Sequence, residues 1–155
     1  MDRGGRTRCG SLLGESRESL KIFLDSSIIL SACGSTKSLS RLITEIAKER
    51  GWNLVSAVYC RAETVKNLTK FAPQATAHWQ NLQTRIDWLP NALTTKRPLL
   101  LTASKDKPVL ISALAAKPDI LLTLDARDFA LLLNTKVYGV FVTTPRDFLI
   151  REGLG

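Results

Sequence analysis

The most constraining feature of this 155-residue chain is an alternation. Short runs of consecutive apolar residues are separated by stretches with helical periodicity. Runs bounded in this way read as strands over 21–25 (KIFLD), 52–56 (WNLVS), 98–103 (PLLLTA), 119–123 (DILLT) and 138–143 (YGVFVT). Helical spacing covers 38–51, 57–71, 73–89, 107–116 and 126–134, and 144–150 reads as a short helix with Thr144 as N-cap and Pro145 at its first position. A strand that is apolar at every position is covered on both faces, the habit of parallel sheets. The expected fold class is therefore α/β: a three-layer α/β/α sandwich around a mainly parallel, five-stranded sheet. The predicted domain spans 20–151. Residues 1–19, with four Gly, four Arg and no apolar period, read as a flexible basic tail.

Composition narrows the function classes. The apolar fraction of 45% supplies a core, yet no window resembles a membrane span, and the first residues lack a secretory apolar segment. A cytoplasmic protein is the expectation. Cys9, Cys33 and Cys60 are odd in number and lack CxxC spacing, so reduced thiols are expected. His78, the single histidine, lies in a polar stretch and reads as a surface residue, which leaves little basis for a His-based triad. The net charge is +8; residues 1–19 hold four Arg against three acids, so +7 belongs to the rest of the chain. Such a body suits a polyanion such as nucleic acid. Trp52, Trp79 and Trp88 could stack on bases; core or partner contact is the expected role, with Trp79 and Trp88 both on the helix at 73–89.

Acids are scarce, and their positions matter. Open parallel sheets bind ligands beyond the carboxyl ends of their strands. Asp25 ends the first strand, Asp106 follows the third and Asp125 follows the fourth. Glu63 lies on the helix after the second strand, on a polar face with Tyr59, Asn67 and Lys70 beside an apolar stripe of Val58, Ala62, Val65 and Leu68. Two readings stand on spacing alone. Each Asp is a favoured helix N-cap, with Asp128 at the capping-box position after Asp125. Alternatively, the four acids form one site. Clustered carboxylates repel, and a hard divalent cation, Mg²⁺ or Mn²⁺, reverses that cost through oxygen ligands alone. Such a site acts on phosphodiesters. Lys66, Lys70, Lys105, Lys107 and Arg127 lie nearby in sequence and could hold an RNA backbone.

Four blocks of the chain, over about residues 20–150, resemble the PIN-domain ribonucleases, and most closely the toxin components of toxin–antitoxin pairs. "IFLDSSIILSAC" is similar to the family's opening strand and first metal-binding Asp, here Asp25, with Ser26 or Ser27 as the small hydroxyl beside it. "LVSAVYCRAETVKNL" resembles the second block, with Glu63 as its acid and Asn67 one turn on. "DKPVLISALAAKPDILLTLDARDF" resembles the third, with Asp106 and Asp125 as the remaining acids and Thr123 and Asp128 supporting them. "GVFVTTPRDFL" resembles the closing strand and cap. Leu124 departs from the family's usual Gly, and a larger side chain there could shift Asp125 or narrow the cleft. The resemblance implies a Mg²⁺- or Mn²⁺-dependent endoribonuclease with Asp25, Glu63, Asp106 and Asp125 as catalytic metal ligands, an antitoxin partner and a homodimer. The competing expectation is an inactive PIN-like module that binds RNA or protein. A haloacid-dehalogenase-like phosphatase would need Asp-x-Asp where this chain has Asp-Ser-Ser, and a receiver domain would need an acid pair that is missing.

Overall fold

β1 (Lys21–Leu24) is hydrogen-bonded on both sides, which explains its fully apolar Ile22-Phe23-Leu24 core. In the computed structural model, Ile22 and Leu24 belong to one buried cluster and Phe23 to another, so the pleat feeds both faces of the sheet. The structure describes residues 20–71, 73–90, 107–127 and 129–154. The expected tail at 1–19, the expected strand at 98–103, and Lys105, Asp106 and Asp128 lie outside these residues.

Along the chain, β1 is followed by α1 (Ser26–Gly34), α2 (Leu39–Arg50), β2 (Asn53–Ala57), α3 (Val58–Leu68) and α4 (Pro73–Leu82). A 3-10 turn (Gln83–Arg85) then leads into β3 (Ile86–Leu89). After the next described residues come α5 (Lys107–Ala116), β4 (Ile120–Leu122), β5 (Thr135–Val137), β6 (Val140–Thr143) and α6 (Pro145–Arg151). The six described strands run in the order β3-β2-β1-β4-β6-β5, parallel except for the antiparallel β5–β6 pair. The α/β sandwich is as expected, with six described strands rather than five.

One cluster packs α1, α2, α4 and α6 on the face carrying Ile22, Leu24, Leu54 and Ile120. The other packs Cys60 of α3, Val109, Leu110 and Ala113 of α5, and Phe129 on Phe23, Val55, Leu121 and Val142. α2 is bounded as its sequence dictates: Ser38 Oγ accepts from Arg41 N, and Gly51 takes a left-handed φ of 70° at the C-cap. Thr144 caps α6 by accepting from Asp147 N, with Pro145 at the first position. None of the described helices is long and apolar enough to cross a membrane.

Several expectations are corrected. The helix expected over 73–89 stops at Leu82, and Ile86–Leu89 pairs with β2 as a strand. Trp88 therefore lies on a strand, where its ring meets Trp79 edge-on at 5.8 Å. The described residues of 126–134 form turns rather than a helix, and β5, not expected, follows them. α1 was not expected as an element at all. On α3 the buried face is Cys60, Thr64 and Leu68, while Val58 and Val65 are 47% and 50% exposed. Thr64 can be buried because its hydroxyl donates to Cys60 O at 2.8 Å. His78 is half-buried rather than a surface residue, and its Nε2 is sealed from solvent.

Candidate functional site

The strand order fixes where a ligand can enter. From β1 the chain builds β2 and β3 to one side, then returns to place β4 on the other side of β1. Beyond the carboxyl ends of β1 and β4 lies the crevice where an open parallel sheet binds ligands. Asp25 follows β1 there and Thr123 follows β4.

Asp25 is 5% exposed and answers to both strands. Its backbone N–H donates to Leu122 O of β4 at 3.1 Å. Its Oδ1 accepts from Ser26 N at 2.7 Å, capping α1. Its Oδ2 accepts from Ser27 Oγ at 3.0 Å and Thr123 Oγ1 at 2.8 Å. The two hydroxyls are oriented by the turn after β4: Leu124 N donates to Ser27 Oγ at 3.1 Å and Asp125 N to Thr123 Oγ1 at 3.0 Å. Each hydroxyl accepts a backbone proton and aims its own at Asp25.

Glu63 comes to the same place through Ser26, whose hydroxyl donates to Glu63 Oε1 at 3.1 Å. Ser26 thus touches both acids. Asn67 turns back along α3, its Nδ2 donating to Glu63 O at 2.8 Å. Burial pushes the Asp25 carboxyl above its ordinary pKa; the bonds from Thr123, Ser27 and Ser26 pull it down, and the Glu63 charge adds to the rise. Below it, burial and the Asp25 charge push the Cys60 thiol up to about 12. That neighbour carries no motif in the sequence.

Of the sequence-derived acids, Asp25 and Glu63 are joined through Ser26, and Asp125 is half-buried on the Thr123 turn. Asp106 and Asp128 lie outside the described residues. Among the described residues no three His, Cys, Asp or Glu side chains are grouped so as to hold a metal ion. The capping reading holds for Asp25, which caps α1. It fails for Asp125, because turns follow it. Leu124, 45% exposed, points out of the turn, and its N–H still reaches Ser27. Lys66, Lys70 and Arg127 are exposed, and Lys107 opens α5.

No protein-family model matches the chain, and no curated protein matches it. Among solved structures, the chain is similar to the crystal structure of VapBC2 from Rickettsia felis bound to a DNA fragment from their promoter. The identity is 12% and the TM-score 0.58, over 81% of this chain and 98% of the matched one. The fold is PIN-like. At this identity the likeness speaks for the architecture, and the chemistry has to come from the residues. The PIN-like frame sets Asp25, Ser26, Ser27 and Thr123 at the β1/β4 crevice, with Glu63 delivered by α3.

The donor chemistry fits a hard divalent cation. An ionised carboxylate has about four acceptor positions, and the three donors to Asp25 among the described residues leave one on Oδ1. Glu63 and Asp25 offer oxygen only, as Mg²⁺ and Mn²⁺ prefer.

Proposed function

We propose that this chain is a Mg²⁺- or Mn²⁺-dependent endoribonuclease, the toxin of a toxin–antitoxin pair, with Asp25, Glu63, Asp106 and Asp125 as the metal-holding acids. The observation that carries the reading is the state of Asp25. It is a nearly sealed carboxylate with a raised pKa, and among the described residues no cationic side chain is one of the causes acting on it. In a chain of net charge +8, the charged side chain described beside it is a second acid, Glu63, rather than a lysine or arginine. A bound cation would relieve both charges.

When bound, a divalent cation supplies an acidified water and neutralises charge on the phosphate. The protein's part is positioning. Ser27 and Thr123 fix the rotation of the Asp25 carboxylate, and Ser26 holds Glu63 against it. Asp125 enters on the turn tied to Thr123. The exposed Lys66, Lys70 and Arg127, with Lys107, are the proposed contacts to the RNA backbone. The partner implied is an antitoxin that blocks the acidic crevice. The similar solved structure holds VapBC2 with promoter DNA, which supports a paired system. A homodimer and a cytoplasmic setting belong to the same reading.

The test is cleavage of mixed RNA with Mn²⁺, with and without EDTA, by wild type, Asp25→Asn and Asp106→Asn. Metal-dependent cleavage by wild type that falls at least a hundredfold in either variant is expected. RNA binding without cleavage would leave an inactive PIN-like module, and equal degradation in every sample would indicate contamination; either result removes the nuclease assignment.

A further inference from the structure

A cavity of about 520 Å³ opens between the end of α1, the approach to α2, and α4. It lies at the far end of α1 from Asp25, about 13.5 Å away by helical rise over the nine residues of α1. Gln74, His78 and Asn81 line it at helical spacing, so three polar heads share one face of α4. Lys37 and Arg41 line the opposite wall, with Cys33 at the end of α1. None of its lining residues is acidic.

One detail shows that the wall is built and incompletely used. Arg41 Nε donates to Ala32 O at 2.6 Å, which fixes the guanidinium while no described residue takes its terminal nitrogens. His78 Nε2 is sealed away from this open space, which leaves Nδ1 as the ring nitrogen that can meet a ligand there. The charged groups acting on His78 are Arg41, Glu45 and Lys48 of α2 and Arg85 of the 3-10 turn, three cations against one acid. Burial, with these cations, holds the imidazole below its ordinary pKa, so the ring is neutral near pH 7. A neutral ring donates through one nitrogen and accepts through the other.

We infer that this cavity binds a small phosphate-bearing anion of nucleotide size, its phosphate held by Lys37 and Arg41 and its remaining polar groups by Gln74, His78 and Asn81. A fixed guanidinium beside a mobile ammonium suits a phosphate dianion. The volume falls in the range of small-ligand pockets, roughly 300–1,000 Å³, and exceeds what phosphate alone fills. The site is independent of the acidic crevice and does not rest on the nuclease reading.

The chain has one histidine, so its ring signals in NMR report on this cavity directly. The full-length protein, in EDTA at constant ionic strength, is titrated with AMP, inorganic phosphate and adenosine. AMP is expected to shift the His78 signals saturably and to raise the pKa of the ring, because a bound anion favours its protonated form. Inorganic phosphate is expected to do so more weakly. Lys37→Gln and Arg41→Gln are expected to weaken AMP at least tenfold, and Asp25→Asn to leave it unchanged. Lys37 is exposed, so its variant keeps the test decisive if Arg41→Gln fails to fold. The inference is overturned by no saturable response, by adenosine binding as tightly as AMP, by an undiminished response in Lys37→Gln, or by loss of the response in Asp25→Asn.

Discussion

Thr123→Val isolates what the β4 turn contributes to the buried carboxylate. Valine matches the shape of threonine, and position 123 is fully buried, so the change removes a hydroxyl without opening a cavity. Two interactions go. The 2.8 Å donation to Asp25 Oδ2 is worth about 1.5–3 kcal/mol when the acceptor is ionised and about 0.5–1.5 when it is neutral. The Asp125 N–H, 3.0 Å from the same oxygen, loses its acceptor at a cost of about 1 kcal/mol, the low end because Asp125 is half-buried. The Asp25 pKa is raised on folding, so the folded form holds its proton above the pH at which the unfolded chain, at 3.8, releases it. Stability associated with this group is therefore fully present below 3.8 and declines as pH rises through the folded pKa. Asp25 is neutral in the folded protein below 3.8 and becomes ionised as pH rises through its raised, folded pKa. Urea unfolding in EDTA should then show Thr123→Val losing about 2.5–4 kcal/mol above that folded pKa and about 1 kcal/mol less below 3.8. Thr123→Ser keeps the hydroxyl and should show no such pH difference. Equal losses for Thr123→Val at both pH values would mean that the hydroxyl does not support the charge on Asp25.

Two further outcomes follow from the same geometry. Cys33 and Cys60 are buried, with thiols pushed up to about 11 and about 12, so near pH 8 at most about one part in a thousand is thiolate; mass spectrometry after iodoacetamide should find both unmodified in the native protein and modified after unfolding. Gly139→Ala should cost about 1–2 kcal/mol in urea unfolding, because φ is +89° there; a Cβ would meet nothing within 4 Å, so the loss is backbone strain alone.

What the sequence made legible follows burial. β1, β4 and β6 carry unbroken apolar runs, and β2 one interrupted only by the buried Ser56, because the sheet is covered on both sides. β3, last in the order of the described strands, has a pattern, Ile86 buried, Asp87 exposed, Trp88 and Leu89 half-buried, that carries no such run and continues the helical spacing before it. α1 fails the opposite test: Ile28, Ile29, Ala32 and Cys33 are all buried, so the segment reads as a strand-like apolar run without a polar face. Leu131, Leu132 and Leu133 suggested a helix, but the chain turns through Asn134 at φ 60° into the β5–β6 hairpin. On α3, small buried residues such as Thr64 imitate a surface, while Val58 and Val65 imitate a core face. Asp25, Glu63 and Thr123 were legible as positions near one sheet edge. Their linkage through Ser26 and Ser27 was not, because hydroxyl direction depends on which backbone N–H each oxygen accepts.

The fold asks less of position 25 than the residue there supplies. An N-cap for α1 requires only a side-chain acceptor, and Asn or Ser provides one about as well as Asp. Either would avoid desolvating a charge, which is the largest influence on Asp25. Three donors converge on the carboxylate without offsetting that burial, and a neighbouring glutamate makes the ionised form costlier still. Capping alone therefore does not account for an aspartate here. A positively charged ligand arriving at the β1/β4 crevice does, since it would convert the repulsion between Asp25 and Glu63 into joint attraction. On that reading the hydroxyls of Ser27 and Thr123 have a second role: they hold the carboxylate in one rotation until the ligand arrives, so that little is left to reorganise on binding.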